Sequence, residues 1–245
     1  MYPDNNSRSH ALYQRALPVM PGGNSRHTVY FQPYPIYLER GEGCRVWDVD
    51  GVERIDCINN YSALIHGHCH PVIVDALREQ AGKLLSVSLP TEAEIRLAEL
   101  VTERMPGVDQ IRFANSGTEG VMFALKAARG YTGRNKIAKV EGAYHGSYDC
   151  VEVSLYSAPD AWGPDEAPTG VGPAGGHRGA TDNTVVLPAN DVENGRAILR
   201  SHAADLAGVI IDPLIKNLGY LQATPEFLQM LLEETTPGRA LLIFD

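Results

Sequence analysis

The sequence lacks long apolar runs and has no excess of basic residues. None of its apolar stretches approaches the roughly 20 residues that a membrane-spanning helix needs. Its first residues do not combine a charged segment with an apolar one, so no secretory signal peptide is expected. Acidic residues number 30 against 21 Lys and Arg, which gives a net charge of −9. This balance argues against a nucleic-acid or anionic-membrane partner, but it leaves room for a small anionic ligand.

Cysteines are few and show no pattern. The four of them form neither a CxxC pair nor a dense disulfide framework, so we expect reduced thiols in a cytoplasmic protein.

One short segment is rich in residue types that bind zinc, with His66, His68, Cys69 and His70. A second group of ligands at suitable spacing is missing, so we predict no metal site. A metal-binding protein built on these four residues is one of the alternatives.

Two patterns divide the chain. Residues 7–18 are predicted to form a helix that ends at Pro21, and residues 35–57 alternate apolar and polar around the turn residues Asp50-Gly51, as in a hairpin. We therefore predict an N-terminal segment over residues 1–66, consisting of a helix and a small antiparallel unit. Residues 67–245 are predicted to form a second, larger domain.

Short apolar strands alternate with amphipathic helices in that larger domain. This order predicts an α/β fold with a mostly parallel sheet and flanking helices. The predicted strands are 111–114, 136–140, 184–187, 208–211 and 240–244. The predicted helices lie near 71–81 and at 91–104, 119–130, 191–203 and 225–235. Residues 156–183 are rich in Pro and Gly without periodicity, which is typical of either a functional loop or a mobile surface insertion.

Several polar residues stand where a strand meets a helix. Ser116-Gly117-Thr118 would place hydroxyl groups and free backbone N–H groups at a helix N-terminus, which suits a phosphate, although plain helix capping is the more common reason for such residues when the motif is considered alone. Tyr144 follows a strand, where an aromatic side chain can stack on a flat ring or simply pack on the surface. Asp212 and Asp245 each end a strand and would point into one crevice, either as helix caps or as partners of a heterocyclic nitrogen. Neither of the familiar nucleotide-binding patterns, GxGxxG and GxxxxGK[ST], occurs.

Taken in order along the chain, five motifs resemble those of the class III aminotransferases, which are pyridoxal 5'-phosphate (PLP) enzymes of fold type I. They are Val46–Gly51, Gly67–Pro71, Asn115–Glu119, Gly142–Gly146 and Ile243–Asp245. The resemblance implies an incomplete fold-type-I large domain preceded by the N-terminal helix and hairpin segment. It also implies a homodimer that acts on a small amino-acid substrate.

The resemblance assigns roles to particular positions. It implies that the PLP phosphate is bound by Ser116, Gly117 and Thr118 and that the ring is stacked by Tyr144, with His145 in the same motif. It implies that Asp245 keeps the pyridine nitrogen protonated, with Asp212 in support, and that Asn217 lies near the cofactor. Pro21–Ser25 is similar to the opening motif of the glutamate-1-semialdehyde aminomutases and β-amino-acid aminotransferases, and Arg26 resembles a residue that binds a substrate carboxylate.

The resemblance leaves three functions open. Arg26 favours an aminotransferase that acts on an amino acid, possibly a β-amino acid, while a glutamate-1-semialdehyde 2,1-aminomutase is the alternative. A non-catalytic PLP-binding or interaction module is the third. The family's chemistry also needs a lysine that forms a Schiff base with PLP, and none of the five lysines here lies in the matching context. We predict solvated roles for Lys126, Lys136 and Lys139, a catalytic lysine beyond Asp245, and little or no activity for residues 1–245 alone.

Overall fold

A computed structural model describes residues 2–26, 29–164, 166, 168–235 and 240–245. The chain divides into two compact units, Met1–Leu97 and Ala98–Asp245. The boundary at residues 66/67 that the sequence suggests stays a prediction. No helix in these described ranges is both long and apolar enough to cross a bilayer.

The first unit begins with the predicted helix and hairpin. Helix α1 spans Arg8–Ala16 and is capped by the Ser7 hydroxyl, and a 3-10 turn follows at Pro21–Gly23. Strands β1 (Leu38–Glu42), β2 (Arg45–Asp48) and β3 (Glu53–Ile55) form an antiparallel sheet in the order β1-β2-β3. The turn between β2 and β3 contains Asp50, whose carboxylate accepts the Arg8 and Ser9 N–H groups. These bonds fix the start of α1 against the hairpin, and the first of them lowers the pKa of Asp50.

Two further helices follow the small sheet. Helix α2 spans Pro71–Ala81, and α3 spans Glu92–Arg104 across the division between the units. At the start of α3 the Thr91 N–H donates to Glu94 Oε1 at 3.4 Å, which is one of the two hydrogen bonds of a capping box. Neither helix has a buried residue.

The second unit is built on a four-stranded parallel sheet in the order β5-β4-β6-β9. In chain order its elements are α4 (Gly117–Thr132), β4 (Lys136–Val140), α5 (Asp149–Glu152), β5 (Thr184–Leu187), α6 (Val192–Ser201), β6 (Leu206–Ile211), β7 (Leu214–Ile215), β8 (Leu221–Gln222), α7 (Pro225–Glu234) and β9 (Leu241–Phe244). Strands β7 and β8 form a short antiparallel hairpin. The α/β fold with a mostly parallel sheet is therefore confirmed.

Helices cover both faces of this sheet. One face packs on α4 and α5 through a buried cluster that includes Leu125, Ile137 and Ile210. The other face packs on α6 and α7 through a larger cluster that includes Leu199, Val209 and Phe227. Burial on both faces explains why most residues of these strands are apolar.

Two loop-like regions separate the regular elements. The predicted strand at 111–114 is wrong, since these residues are not a strand and pair with no other in the described ranges. An extended apolar segment becomes a strand only when a neighbour satisfies its backbone groups. Residues 156–183 contain two 3-10 turns, Pro159–Ala161 and Arg178–Asn183, as expected for a segment without periodicity.

Candidate functional site

The strand order of the sheet reverses between β4 and β6. From β4 the chain moves to β5 on one side, and later elements add β6 and then β9 on the other side. In open α/β sheets, ligands bind outside the carboxyl ends of the strands at such a reversal. The Gly142–Gly146 turn follows β4, Asp212 follows β6 and Asp245 follows β9. Three of the predicted site segments therefore share one edge of the sheet.

The N-terminus of α4 presents free donors. Ser116 is the N-cap, and its Oγ accepts the Glu119 N–H at 3.1 Å, while Glu119 Oε2 accepts the N–H of Asn115, the residue before the cap, at 2.6 Å. No described group accepts a hydrogen bond from the backbone N–H of Gly117 or Thr118. A Cβ added at Gly117 would meet nothing within 4 Å, so space lies beside these amides. Open donors at the positive end of a helix form an anion site.

The turn after β4 packs directly on that helix terminus. Gly146 has a φ of +88°, and a Cβ there would lie 2.6 Å from Thr118 Oγ1. The Ser147 N–H donates to the same Thr118 oxygen at 3.2 Å. This close approach requires glycine, and it joins the predicted ring-binding turn to the predicted phosphate site.

Tyr144 and His145 occupy opposite environments in the turn. The Tyr144 side chain is exposed, whereas His145 is buried. His145 Nδ1 lies 2.7 Å from Asp245 Oδ2, and the Asp245 N–H donates to the Ile211 carbonyl at 3.0 Å. His145 Nε2 is buried without a partner among the described groups. A buried imidazole thus orients a carboxylate that remains about one-third exposed.

Asp212 and Asn217 lie on the segment that contains the β7–β8 hairpin. Asp212 is buried, and its Oδ1 accepts the Leu214 N–H at 3.0 Å, so it fixes the turn after β6. Asn217 is exposed on a 3-10 turn. Its neighbour Leu218 packs against Gly142, where an added Cβ would lie 2.6 Å from Leu218 Cδ2. Asp212 and Asn217 therefore belong to the segment that borders the turn after β4.

Arg26 lies in the first unit. Its Nη1 donates to Asn60 Oδ1 at 2.8 Å, and its guanidinium carbon lies 5.4 Å from the centre of the Tyr61 ring. The side chain is therefore held by two neighbours while it stays exposed. Arginine keeps several further N–H donors in this arrangement.

The histidine-rich segment forms ordinary contacts. His68 Nε2 lies 2.8 Å from Asp56 Oδ2, and the rings of His66 and His70 lie 5.5 Å apart. Hydrogen bonds from the Asn59 backbone and from His68 lower the pKa of Asp56. Across the part of the chain that the structure describes, no three His, Cys, Asp or Glu residues are grouped to hold a metal.

The solvated role predicted for Lys139 is wrong. Its side chain is fully buried in β4, and its Nζ donates to the Val153 carbonyl at 2.9 Å. Burial lowers its pKa to about 8, against the opposing effect of Glu141. Lys126 is exposed and Lys136 is half-buried, as expected for lysines near solvent. The signal for Lys139 was its place between Ala138 and Val140 in a strand of the predicted parallel sheet, because such strands are buried on both faces.

Comparison with known proteins gives consistent similarities. A sequence model of the class III aminotransferases matches residues 28–245. Glutamate-1-semialdehyde 2,1-aminomutase 2 of an Exiguobacterium species is 42% identical over 244 residues, which cover 98% of this chain and 55% of the relative. The chain thus spans about half the length of the curated relatives it matches.

Solved structures agree with this. An omega-transaminase from Sphaerobacter thermophilus superposes with a TM-score of 0.95 at 48% identity, covering 100% of this chain and 56% of that one. A β-phenylalanine aminotransferase from Variovorax paradoxus superposes with a TM-score of 0.81 at 35% identity, covering 99% of this chain and 52% of that one. Because the family match extends over nearly the whole sequence, the chain belongs to the class III aminotransferases.

Proposed function

We propose that the natural protein containing this chain is a PLP-dependent aminotransferase that moves an amino group between an amino acid and a carbonyl acceptor. The contact between His145 and Asp245 carries the proposal. It brings the turn after β4 and the carboxylate after β9 together at one edge of the sheet, and Gly146 joins the same turn to the helix terminus at Thr118. An anion site, an exposed aromatic ring and an oriented carboxylate are thus linked by direct contacts.

The start of α4 would bind the phosphate. Among the residues that the structure describes, none accepts the backbone N–H of Gly117 or Thr118, and the Ser116 hydroxyl accepts from Glu119 alone, so its proton remains available. The helix dipole adds a favourable field for a dianion. These donors supply binding energy and fix one end of the cofactor.

The turn and the carboxylate would bind the ring. When bound, PLP supplies an electron sink for the substrate carbon that loses its proton. The exposed Tyr144 ring can cover one face of the pyridine. Asp245 has one oxygen fixed by His145, and its other oxygen can accept a hydrogen bond from a protonated ring nitrogen. Asp212 and Asn217 would support this edge through the segment that packs on Gly142.

Arg26 would bind the substrate carboxylate. Asn60 and Tyr61 hold its guanidinium, which leaves N–H donors for a bidentate contact. This assignment makes the substrate a carboxylate-bearing amine. Similarity to the Variovorax enzyme supports a β-amino acid as that amine.

The alternative activity is that of a glutamate-1-semialdehyde 2,1-aminomutase, which the Exiguobacterium relative supports. The two activities differ in whether an external carbonyl acceptor is needed. We would incubate the full-length natural protein and PLP with a β-amino acid and a 2-oxo acid, and separately with glutamate-1-semialdehyde alone. Conversion only when the 2-oxo acid is present supports the aminotransferase, and isomerisation of the semialdehyde alone supports the aminomutase. A protein that binds PLP and converts neither would instead support the non-catalytic module.

Residues 1–245 by themselves are proposed to lack turnover, because none of their lysines occupies the position that the resemblance implies. We further propose that the natural protein is a homodimer and that the large domain begins at residue 67. Substantial product formation by residues 1–245 with PLP and an amino donor would contradict the first of these proposals.

A further inference from the structure

A buried lysine lies in the strand that leads into the proposed ring-binding turn. Lys139 is the fourth residue of β4, three positions before Gly142, and its side chain has no exposed surface. A buried ammonium is costly unless it donates hydrogen bonds, and this one donates to the Val153 carbonyl at 2.9 Å. The lysine therefore ties β4 to the residues just after α5.

The residue after Val153 holds the turn. The Ser154 carbonyl accepts the Gly142 N–H at 2.8 Å. The other polar groups of Ser154 bind the loop at residues 156–183. The Ser154 N–H donates to the Val171 carbonyl, and the Ser154 Oγ donates to the Thr169 carbonyl and accepts the Val171 N–H. Ser154 is buried, and it has a φ of +55°, a strained value for a residue with a side chain. Such strain persists only where surrounding contacts over-determine the conformation.

These contacts form one path. It runs from Lys139 Nζ to the Val153–Ser154 segment, from Ser154 to Gly142, and from Gly142 to the side chains of the turn. We propose that Lys139 is a positioning residue for the cofactor ring, acting through the Val153–Ser154 segment to fix the turn that carries Tyr144 and His145. The inference rests on the proposed function, since the position of the turn matters to PLP only if the ring binds there.

An apolar residue would be expected at this site if packing alone mattered. The strand is buried on both faces and its neighbours Ala138 and Val140 are apolar. A methionine would fill similar space without the cost of burying a charge, but it would leave the Val153 carbonyl without its donor. The lysine is thus explained by the carbonyl that it holds. Glu141 acts on the same ammonium and favours its charged form.

Substitution in the full-length natural protein tests the proposal. Lys139→Met removes the donor and keeps an apolar side chain of similar length. We expect hydrogen exchange at the Gly142 amide, measured without PLP, to speed up about tenfold or more. We also expect the Kd for PLP to rise about tenfold and the induced circular dichroism of the bound cofactor to change. Lys136→Met is the matched control, because Lys136 lies in the same strand, contacts His202 instead and should leave all three readouts unchanged.

A second variant separates hydrogen bonding from folding. Lys139→Arg keeps the charge and the donors, so it should restore the Gly142 protection and part of the PLP affinity that Lys139→Met loses. Wild-type exchange and PLP affinity in Lys139→Met would overturn the proposal. So would a Gly142 amide that exchanges in the wild type as fast as an unstructured one. A wild-type protein that fails to bind PLP would instead contradict the proposed function, while the exchange data without PLP would still decide whether Lys139 holds the turn.

Discussion

His145 Nδ1 lies 2.7 Å from Asp245 Oδ2, although the two residues are 100 positions apart in the chain. The imidazole is fully buried, whereas the carboxylate is about one-third exposed. One carboxylate oxygen is therefore fixed from inside the protein. The other remains for a group that approaches from the crevice.

Asp245→Asn should separate charge from shape at this position. Asparagine can keep a hydrogen bond to His145, but it cannot stabilise a positive charge on a pyridine nitrogen. In the full-length natural protein we expect kcat to fall on the order of 10²-fold, as when one preorganised electrostatic contact is removed. Asp160→Asn, in an exposed 3-10 turn, is the control. Equal kcat values for the Asp245→Asn variant and the wild type would exclude the proposed role.

Ser116→Ala should affect both helix stability and phosphate binding. Loss of the cap costs about 1 kcal/mol of unfolding free energy, and loss of the hydroxyl donor should also weaken PLP binding about tenfold. Ser7→Ala removes an equivalent cap on α1, where the hydroxyl accepts the His10 N–H at 3.2 Å. We expect the two variants to lose similar stability in denaturant titrations and only Ser116→Ala to bind PLP more weakly. If Ser116→Ala bound PLP as tightly as the wild type, Ser116 would act only as a helix cap.

Gly146→Ala should disrupt the contact between the turn and α4. The added Cβ would approach both Thr118 Oγ1 and Thr118 Cα, at 2.6 and 2.8 Å, in a backbone region that L side chains rarely adopt. Gly133→Ala is the matched control, since Gly133 also has a positive φ but an added Cβ there meets nothing within 4 Å. We expect Gly133→Ala to cost about 1 kcal/mol, and Gly146→Ala to cost clearly more and to weaken PLP binding. If thermal unfolding showed the same loss of stability in Gly146→Ala and Gly133→Ala, the turn would accommodate the added Cβ without cost.

The sequence was most informative where local pattern and fold agree. Strands such as β5 are buried on both faces, so their apolar runs predict them directly. The motif at Ser116–Thr118 predicted a helix start because hydroxyl and glycine residues favour that position locally. Both signals depend on neighbours in sequence, and both elements are present.

Other features depend on contacts between distant residues. The pairing of His145 with Asp245 follows from the order and register of β4, β6 and β9, which no local pattern states. Residues 111–114 have a strand-like composition but no strand to pair with in the described ranges. The charge of Lys139 indicated a solvated side chain, but the side chain is buried because β4 lies between β5 and β6 in the sheet. In each case the deciding partner lies elsewhere in the chain.

Arg26→Lys should change substrate affinity without changing the fold. Lysine keeps the charge but loses the planar, bidentate geometry and the stacking on Tyr61. We expect the KM of the full-length natural protein for a carboxylate-bearing amine to rise about tenfold, with little change for an amine that has no carboxylate. Arg15→Lys, at an exposed position of α1, should behave as the wild type. An equal rise for both kinds of amine would argue against carboxylate binding by Arg26.

Lys139 should also make stability depend on pH. Its pKa is about 8 in the folded protein, because burial disfavours the charge, and returns to the ordinary lysine value of 10.5 when unfolding exposes the side chain to water. Below pH 8 both states carry the proton, so stability does not change with pH through this group. Between about pH 8 and 10.5 the unfolded chain binds more protons than the folded one, so stability rises with pH through this group, by on the order of 3 kcal/mol in total.

Comparison of the wild type with Lys139→Met isolates this effect. The buried Cys150 thiol, whose pKa is raised by burial, acts in the opposite direction, but it is present in both proteins and cancels in the difference. Urea unfolding at a series of pH values should therefore show the wild type gaining stability over the variant as pH rises from 8 to 10.5. A difference that stays constant across this range would mean that Lys139 keeps an ordinary pKa, and that the Val153 carbonyl and Glu141 fully offset the cost of burying its charge.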